Sequence, residues 1–368
     1  MNAERLHSIA LAMKTDLTQT NIVKHLQDLV TALQNQINQP NQPEYQQQVG
    51  RFHQSLRDAL NDSAINAFSP TWRQVIEELE VESFLGNNLE MQIAAIFSAN
   101  QITPSLANEQ LQKLLTSLQA LTTSLDQLLA SFSQLKIGAE ELDPGECEIG
   151  VLVPRAFVDN RLDKFSDELG ELNKIFGVFE ELCTGSRPSP KIRTISSSEL
   201  SIFLETAPVV GACIAAAVER VIAMYRQLLE IRKLQGELAK QGIEKEDLKG
   251  IEKHANGVME KGIDTLVKEL VSEFSAISDV ARKNEISIEL KFALKKIANR
   301  VDRGFNIEVK MQEPTEASDG DPVADGANNT DIAKHHAKIQ GAAGNLQFLK
   351  LDGDPILSLS EEAVEKKK

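Results

Sequence analysis

Residues 105–136 read SLANEQLQKLLTSLQALTTSLDQLLASFSQLK. Leu111, Leu114, Leu118, Leu121, Leu125, Leu128, Phe132 and Leu135 recur in it at alternating intervals of 3 and 4. Only a helix puts such residues on one stripe, because 3.6 residues complete a turn. Sustained over more than three heptads, the stripe predicts a helix of roughly 45 Å at 1.5 Å per residue. Thr, Ser and Gln flank it, not the Glu and Lys of a two-stranded coiled coil. The stripe is therefore an interaction seam with two readings, a bundle within the chain or a coiled coil between chains.

The sequence before the seam is also helical in texture. Residues 1–137 hold Gly50 and Gly86 as their glycines and contain no β-branched runs. A face through Leu6, Ile9, Met13, Leu17, Val23, Leu26, Val30, Leu33 and Ile37 slips near Thr20, where a helix break is expected. Pro40 and Pro43 mark a linker before a further helix. Residues 1–140 are expected to form a helical bundle.

Beyond Asp143-Pro144-Gly145 the texture changes. Glu146–Val153 reads as a strand and the Leu162–Leu182 series as a helix. Ile192–Ile195 and Leu200–Leu204 are strand candidates, the second of which could instead open the next helix. Long helices follow over Val209–Lys240, Lys245–Val280 and Ile286–Val301, then a strand over Phe305–Met311. The fold class is α+β and predominantly helical, with a small mixed sheet packed against long helices in residues 146–311. Its element order matches a ferredoxin-like split βαβ arrangement with the second helical layer expanded. Residues 312–333, rich in Asp and Glu, read as a flexible acidic linker. Asp352-Gly353-Asp354, between Leu346–Leu351 and Pro355–Leu359, signals a β-hairpin before a charged tail, so 334–368 is expected to be hairpin and tail.

The chain has 368 residues and a formal net charge of −15, which disfavours a general grip on nucleic acid or an anionic membrane. Cys147, Cys183 and Cys213 are an odd number without CxxC spacing, as suits a reducing compartment. No uninterrupted apolar run reaches 18 residues; the nearest stretch, Ala207–Tyr225, contains Glu219 and Arg220 and reads as a buried helix. A cytoplasmic location without membrane attachment is expected.

No HExxH, GxGxxG, P-loop or GxSxG pattern is present, so no catalytic residue, metal site or cofactor is assigned. Two basic features remain. Arg155, Arg187, Lys191 and Arg193 surround Ser196, Ser197 and Ser198, a set whose hydroxyls and guanidiniums would suit a phosphorylated ligand. The serines read first as turn residues. Arg282, Lys283, Lys291, Lys295, Lys296, Arg300 and Arg303 form a positive stripe, read first as a face paired with acidic neighbours. The function expected is a non-enzymatic interaction or scaffold subunit of a protein assembly, its partners other copies of itself or other subunits. The alternative is a sensor or nucleic-acid-associated protein that binds a phosphorylated ligand.

Overall fold

The computed structural model describes residues 3–196, 200–241, 249–314, 326–346, 349, 351 and 353–362. It divides into two compact units, one of residues 1–68 and 72–141, the other of residues 69–71 and 142–368.

The first unit is helical: α1 (Ala3–Gln19), α2 (Ile22–Asn38), α3 (Pro43–Asn61), α4 (Pro70–Glu78), α5 (Gly86–Ala99) and α6 (Pro104–Leu135), with two 3₁₀ turns. The periodicity slip at Thr20 is a true break, with Asn21 in the left-handed region at φ 50°. Asn tolerates this region better than most residues with a side chain. Helix α6 packs on α1 and α2. Leu111, Leu114, Leu118 and Leu125 are buried in the unit's apolar core, and Leu121 and Leu128 pack partly against it. Phe132 is buried as well, stacked on the His7 ring at 4.9 Å. Leu135, the last position of the series, is 69% exposed.

The second unit contains β1 (Cys147–Val153), α7 (Leu162–Thr184), β2 (Lys191–Ser196), β3 (Leu200–Thr206), α8 (Pro208–Lys240), α9 (Lys249–Phe274), α10 (Val280–Asp302), β4 (Asn306–Met311) and α11 (Gly326–Ala343). The strands form one sheet in the order β2-β3-β1-β4. Each adjacent pair is antiparallel, with Val151 opposite Ile202 on one side and Ile307 on the other. This is the order and direction of a ferredoxin-like split βαβ sheet. Three helices, α8 to α10, stand where the simple motif has one.

Alternation sorts the strands. Cys147, Ile149, Val151 and Val153 join the helices in one core, with Ile202 and Leu204 beside them. Helix α8 runs through the middle of this core, where Val210, Ile214, Val218, Val221 and Tyr225 are fully buried. It approaches the sheet closely at Gly211, where a β-carbon would lie 2.2 Å from Cys147 Sγ. By length and composition, Pro208–Leu238 could also cross a membrane, although no uninterrupted apolar run suggested it; 61% of its most apolar window is buried inside the protein.

The C-terminal region departs from expectation. Residues 315–325 of the expected acidic linker lie outside the described residues, and Gly326–Asp331 belongs to helix α11. The expected hairpin is absent among the described residues: none from 346 to 362 is in a strand. Its second arm is instead held by side chains of α8, α9 and α10. Those side chains satisfy the amides of residues 356–359; much of the expected first arm, with Asp352, lies outside the described residues.

Candidate functional site

The second arm runs along a groove built from three helices. Asp302, at the end of α10, is fully buried and accepts from the backbone amides of Ile356 at 2.8 Å and Leu357 at 2.7 Å. Its other carboxylate oxygen accepts from the Tyr225 hydroxyl at 2.7 Å and from Arg232 at 2.9 Å, both on α8. Arg232 also donates to the Gly353 carbonyl at 2.6 Å. On α9, Asn256 accepts from Ser358 N at 2.9 Å. On α10, Asn299 accepts from Leu359 N at 3.0 Å and donates to Leu359 O at 2.9 Å and to Glu361 at 2.7 Å. Ile356, Leu357 and Leu359 are buried in the helical core.

Helical spacing sets the polar frame. Tyr225 is spaced one helical heptad from Arg232, and Asn299 one turn from Asp302, so each pair shares a face. Burial and the neighbouring Asp302 push the Tyr225 hydroxyl well above its ordinary range, so it stays a proton donor. Beside the groove, Arg300 makes two hydrogen bonds to Glu168 of α7, at 2.6 and 2.9 Å, both side chains buried. An Asn side chain that takes both the N–H and the C=O of one residue reads main chain, not side chain. The arrangement holds an extended segment of the chain by its main chain.

Of the basic and serine set, Arg155 and Ser196 lie toward one end of the sheet and Lys191 toward the other. Strand register places Arg155 just beyond the Val153–Leu200 end of the sheet and Lys191 toward the Cys147–Thr206 end. Arg155 donates to Asn160 at 2.7 Å, Arg187 to Glu289 at 2.6 Å, and Lys191 to Glu205 at 3.3 Å. Arg193 pairs with Glu146 at 2.7 Å and with Glu148 at 3.7 Å, and its hydrogen bond holds the Glu146 carboxyl below the ordinary range. Ser196 closes β2; Ser197 and Ser198 lie outside the described residues.

The positive stripe on α10 is an interhelical ion-pair ladder. Lys295 meets Glu260 of α9 at 2.7 Å and Lys296 meets Glu171 of α7 at 2.6 Å, while Lys291 pairs with Asp264 and Arg282 with Glu181. Lys174 and Lys296 draw the Glu171 carboxyl down to about 2. Among the described residues no group of three or more His, Cys, Asp or Glu could hold a metal ion.

Sequence reasoning missed the peptide groove. Asn299 and Asp302 lie in the last turns of α10, where Ile297, Ala298, Arg300 and Val301 are buried too, so no single apolar face singled them out in the sequence. Fold and groove together define a predominantly helical α+β protein built on a split βαβ sheet. The chain matches no known family model, no curated protein and no solved structure.

Proposed function

We propose that this chain is a non-enzymatic interaction subunit of a cytoplasmic protein assembly, and that a partner protein adds an extended strand to the open edge of its sheet. The observation that carries the reading is strand β2. Among the described residues it pairs only with β3, and Ile192 and Ile195 on it are 61% and 48% exposed. A bulge between Ile192 and Thr194 keeps both isoleucines opposite Leu204 and Ile202, on the face that helices cover elsewhere in the sheet. An edge strand with exposed apolar side chains is a template for strand addition. The opposite edge strand, β4, is buried along most of its length. The heptad seam is already occupied within its own unit, which leaves the sheet edge as the better candidate surface.

The test compares the wild-type chain with the double variant Ile192→Lys/Ile195→Lys by affinity purification from the native host and by light scattering. A stoichiometric partner that is retained by the wild type and lost from the folded variant is expected. A partner held equally by both, or a wild-type chain that is monomeric and purifies alone, rejects the reading.

A further inference from the structure

We propose that the groove formed by α8, α9 and α10 is a binding site for extended peptides, occupied here in cis by the chain's own segment Pro355–Glu361. The ligand class is an extended segment with two adjacent apolar residues, a third two positions later, and an acidic residue two beyond that. The trans occupant would be such a segment in another protein. This inference is independent of strand β2.

Four consecutive amides, those of Ile356, Leu357, Ser358 and Leu359, are received by side-chain oxygens of Asp302, Asn256 and Asn299. An integral strand normally has its amides satisfied by a backbone ladder. Here the described backbone–backbone hydrogen bonds include none from these four amides. The segment is held by side chains, as a bound peptide is, and one of them, Asp302, is anchored independently of it by Tyr225 and Arg232. Asp302 and Asn299 are 0% and 3% exposed, and Arg232 and Tyr225 hold Asp302 from the far side.

Specificity follows from what is buried. Main-chain contacts accept any sequence that extends, so selection falls to the sockets of Ile356, Leu357 and Leu359, which are at most 5% exposed. Glu361 adds a charge preference through Asn299 at 2.7 Å and Arg300 at 3.8 Å. Ser358 carries little selection, because its side chain meets Asn256 at the surface. Being tethered, the cis segment competes at a high effective concentration, so a trans peptide gains access when the cis copy is weakened or displaced.

The test uses a fluorescently labelled peptide with the sequence of residues 354–361, DPILSLSE, titrated into the full chain and followed by anisotropy. The variant Ile356→Asp/Leu357→Asp should bind it saturably, and the wild type at least about tenfold more weakly because its cis segment competes. Adding Asn299→Ala to that variant should remove binding. A folded double variant that does not bind the peptide overturns the proposal. So does a wild-type dimer that the peptide dissociates, because the occupant would then be a second copy.

Hydrogen exchange on the wild type decides the matter should the double variant fail to fold. The amides of residues 356–359 should exchange through local opening, at least about a hundredfold faster than those of Val218 and Val221 in α8. Equal protection would make the segment an integral part of the core and overturn the proposal.

Discussion

Asn299 holds both backbone groups of Leu359: its Oδ1 accepts the amide at 3.0 Å and its Nδ2 donates to the carbonyl at 2.9 Å. The side chain of a helical residue thus does for one residue what a neighbouring strand would do. Asp302, one turn further along, does the same for two amides while its second oxygen anchors Arg232. Through these two residues the end of α10 orders a segment that has no sheet to join.

Asp302 and Arg232 form a buried ion pair at 2.9 Å, with side chains 0% and 5% exposed. Asp302→Ala leaves the guanidinium without its carboxylate and frees two amides, and should cost about 3–5 kcal/mol in urea unfolding. Adding Arg232→Met should recover part of that loss, since the stranded charge is then gone. A loss below about 1 kcal/mol for Asp302→Ala would show that water replaces the carboxylate.

The seam separates into core and margin. Leu118 is fully buried, whereas Leu135 is 69% exposed. Leu118→Ala should destabilise the first unit by about 2–5 kcal/mol, and Leu135→Ala should stay within about 0.5 kcal/mol. Thermal unfolding by circular dichroism measures both. Light scattering should show no change of mass for Leu118→Ala, because its partners lie in the same chain.

The three cysteines are buried. Burial, and then the charge of Glu148, push the Cys147 thiol up to about 12, and burial beside Cys183 raises Cys213 well above its ordinary value. Thiolate, not thiol, is the reactive form. At pH 8 the native protein should therefore resist a thiol reagent that titrates all three groups in urea. Fast labelling of the native chain would contradict the packing of α8 against β1.

Glu171 predicts an acid-side effect. Its carboxyl lies near 2 in the folded chain against an ordinary 4.5, so folding favours its ionised form. The stabilisation is complete above about pH 4.5 and is lost as the pH falls through about 2. Because Glu171 is partly exposed, Glu171→Gln should cost only about 0.2–1 kcal/mol at pH 7. The gap between the two proteins should close on acidification in denaturation curves taken from pH 7 to 2.

Much of the fold was legible from residues 111–125 and 146–311, because periodic burial and turn chemistry are local properties. The break at Thr20–Asn21, the long helix α8 and the four strands could all be read from spacing. Helix α11 could not, since its 18 residues present few apolar side chains and follow an acidic stretch. The Asp352-Gly353 turn signal proposes a hairpin, but only a paired ladder makes one, and Asp352 and much of the first arm lie outside the described residues. Among the basic residues near Ser196, strand register places Arg155 and Lys191 at opposite ends of the sheet, a separation that spacing along the chain does not show.

The sequence by itself determined most of the helices and strands up to residue 311, the apolar faces of the long helices, and the order of elements that yields the β2-β3-β1-β4 sheet. Tertiary structure alone decided which helices fill the seam of α6. It also decided that Tyr225, Arg232, Asn256, Asn299 and Asp302, on three separate helices, converge on one extended segment. The physical reason is range. Periodicity is set by backbone geometry within a few residues, whereas a buried polar side chain is defined by the partner that satisfies it, and here those partners lie 54 to 121 residues away along the chain.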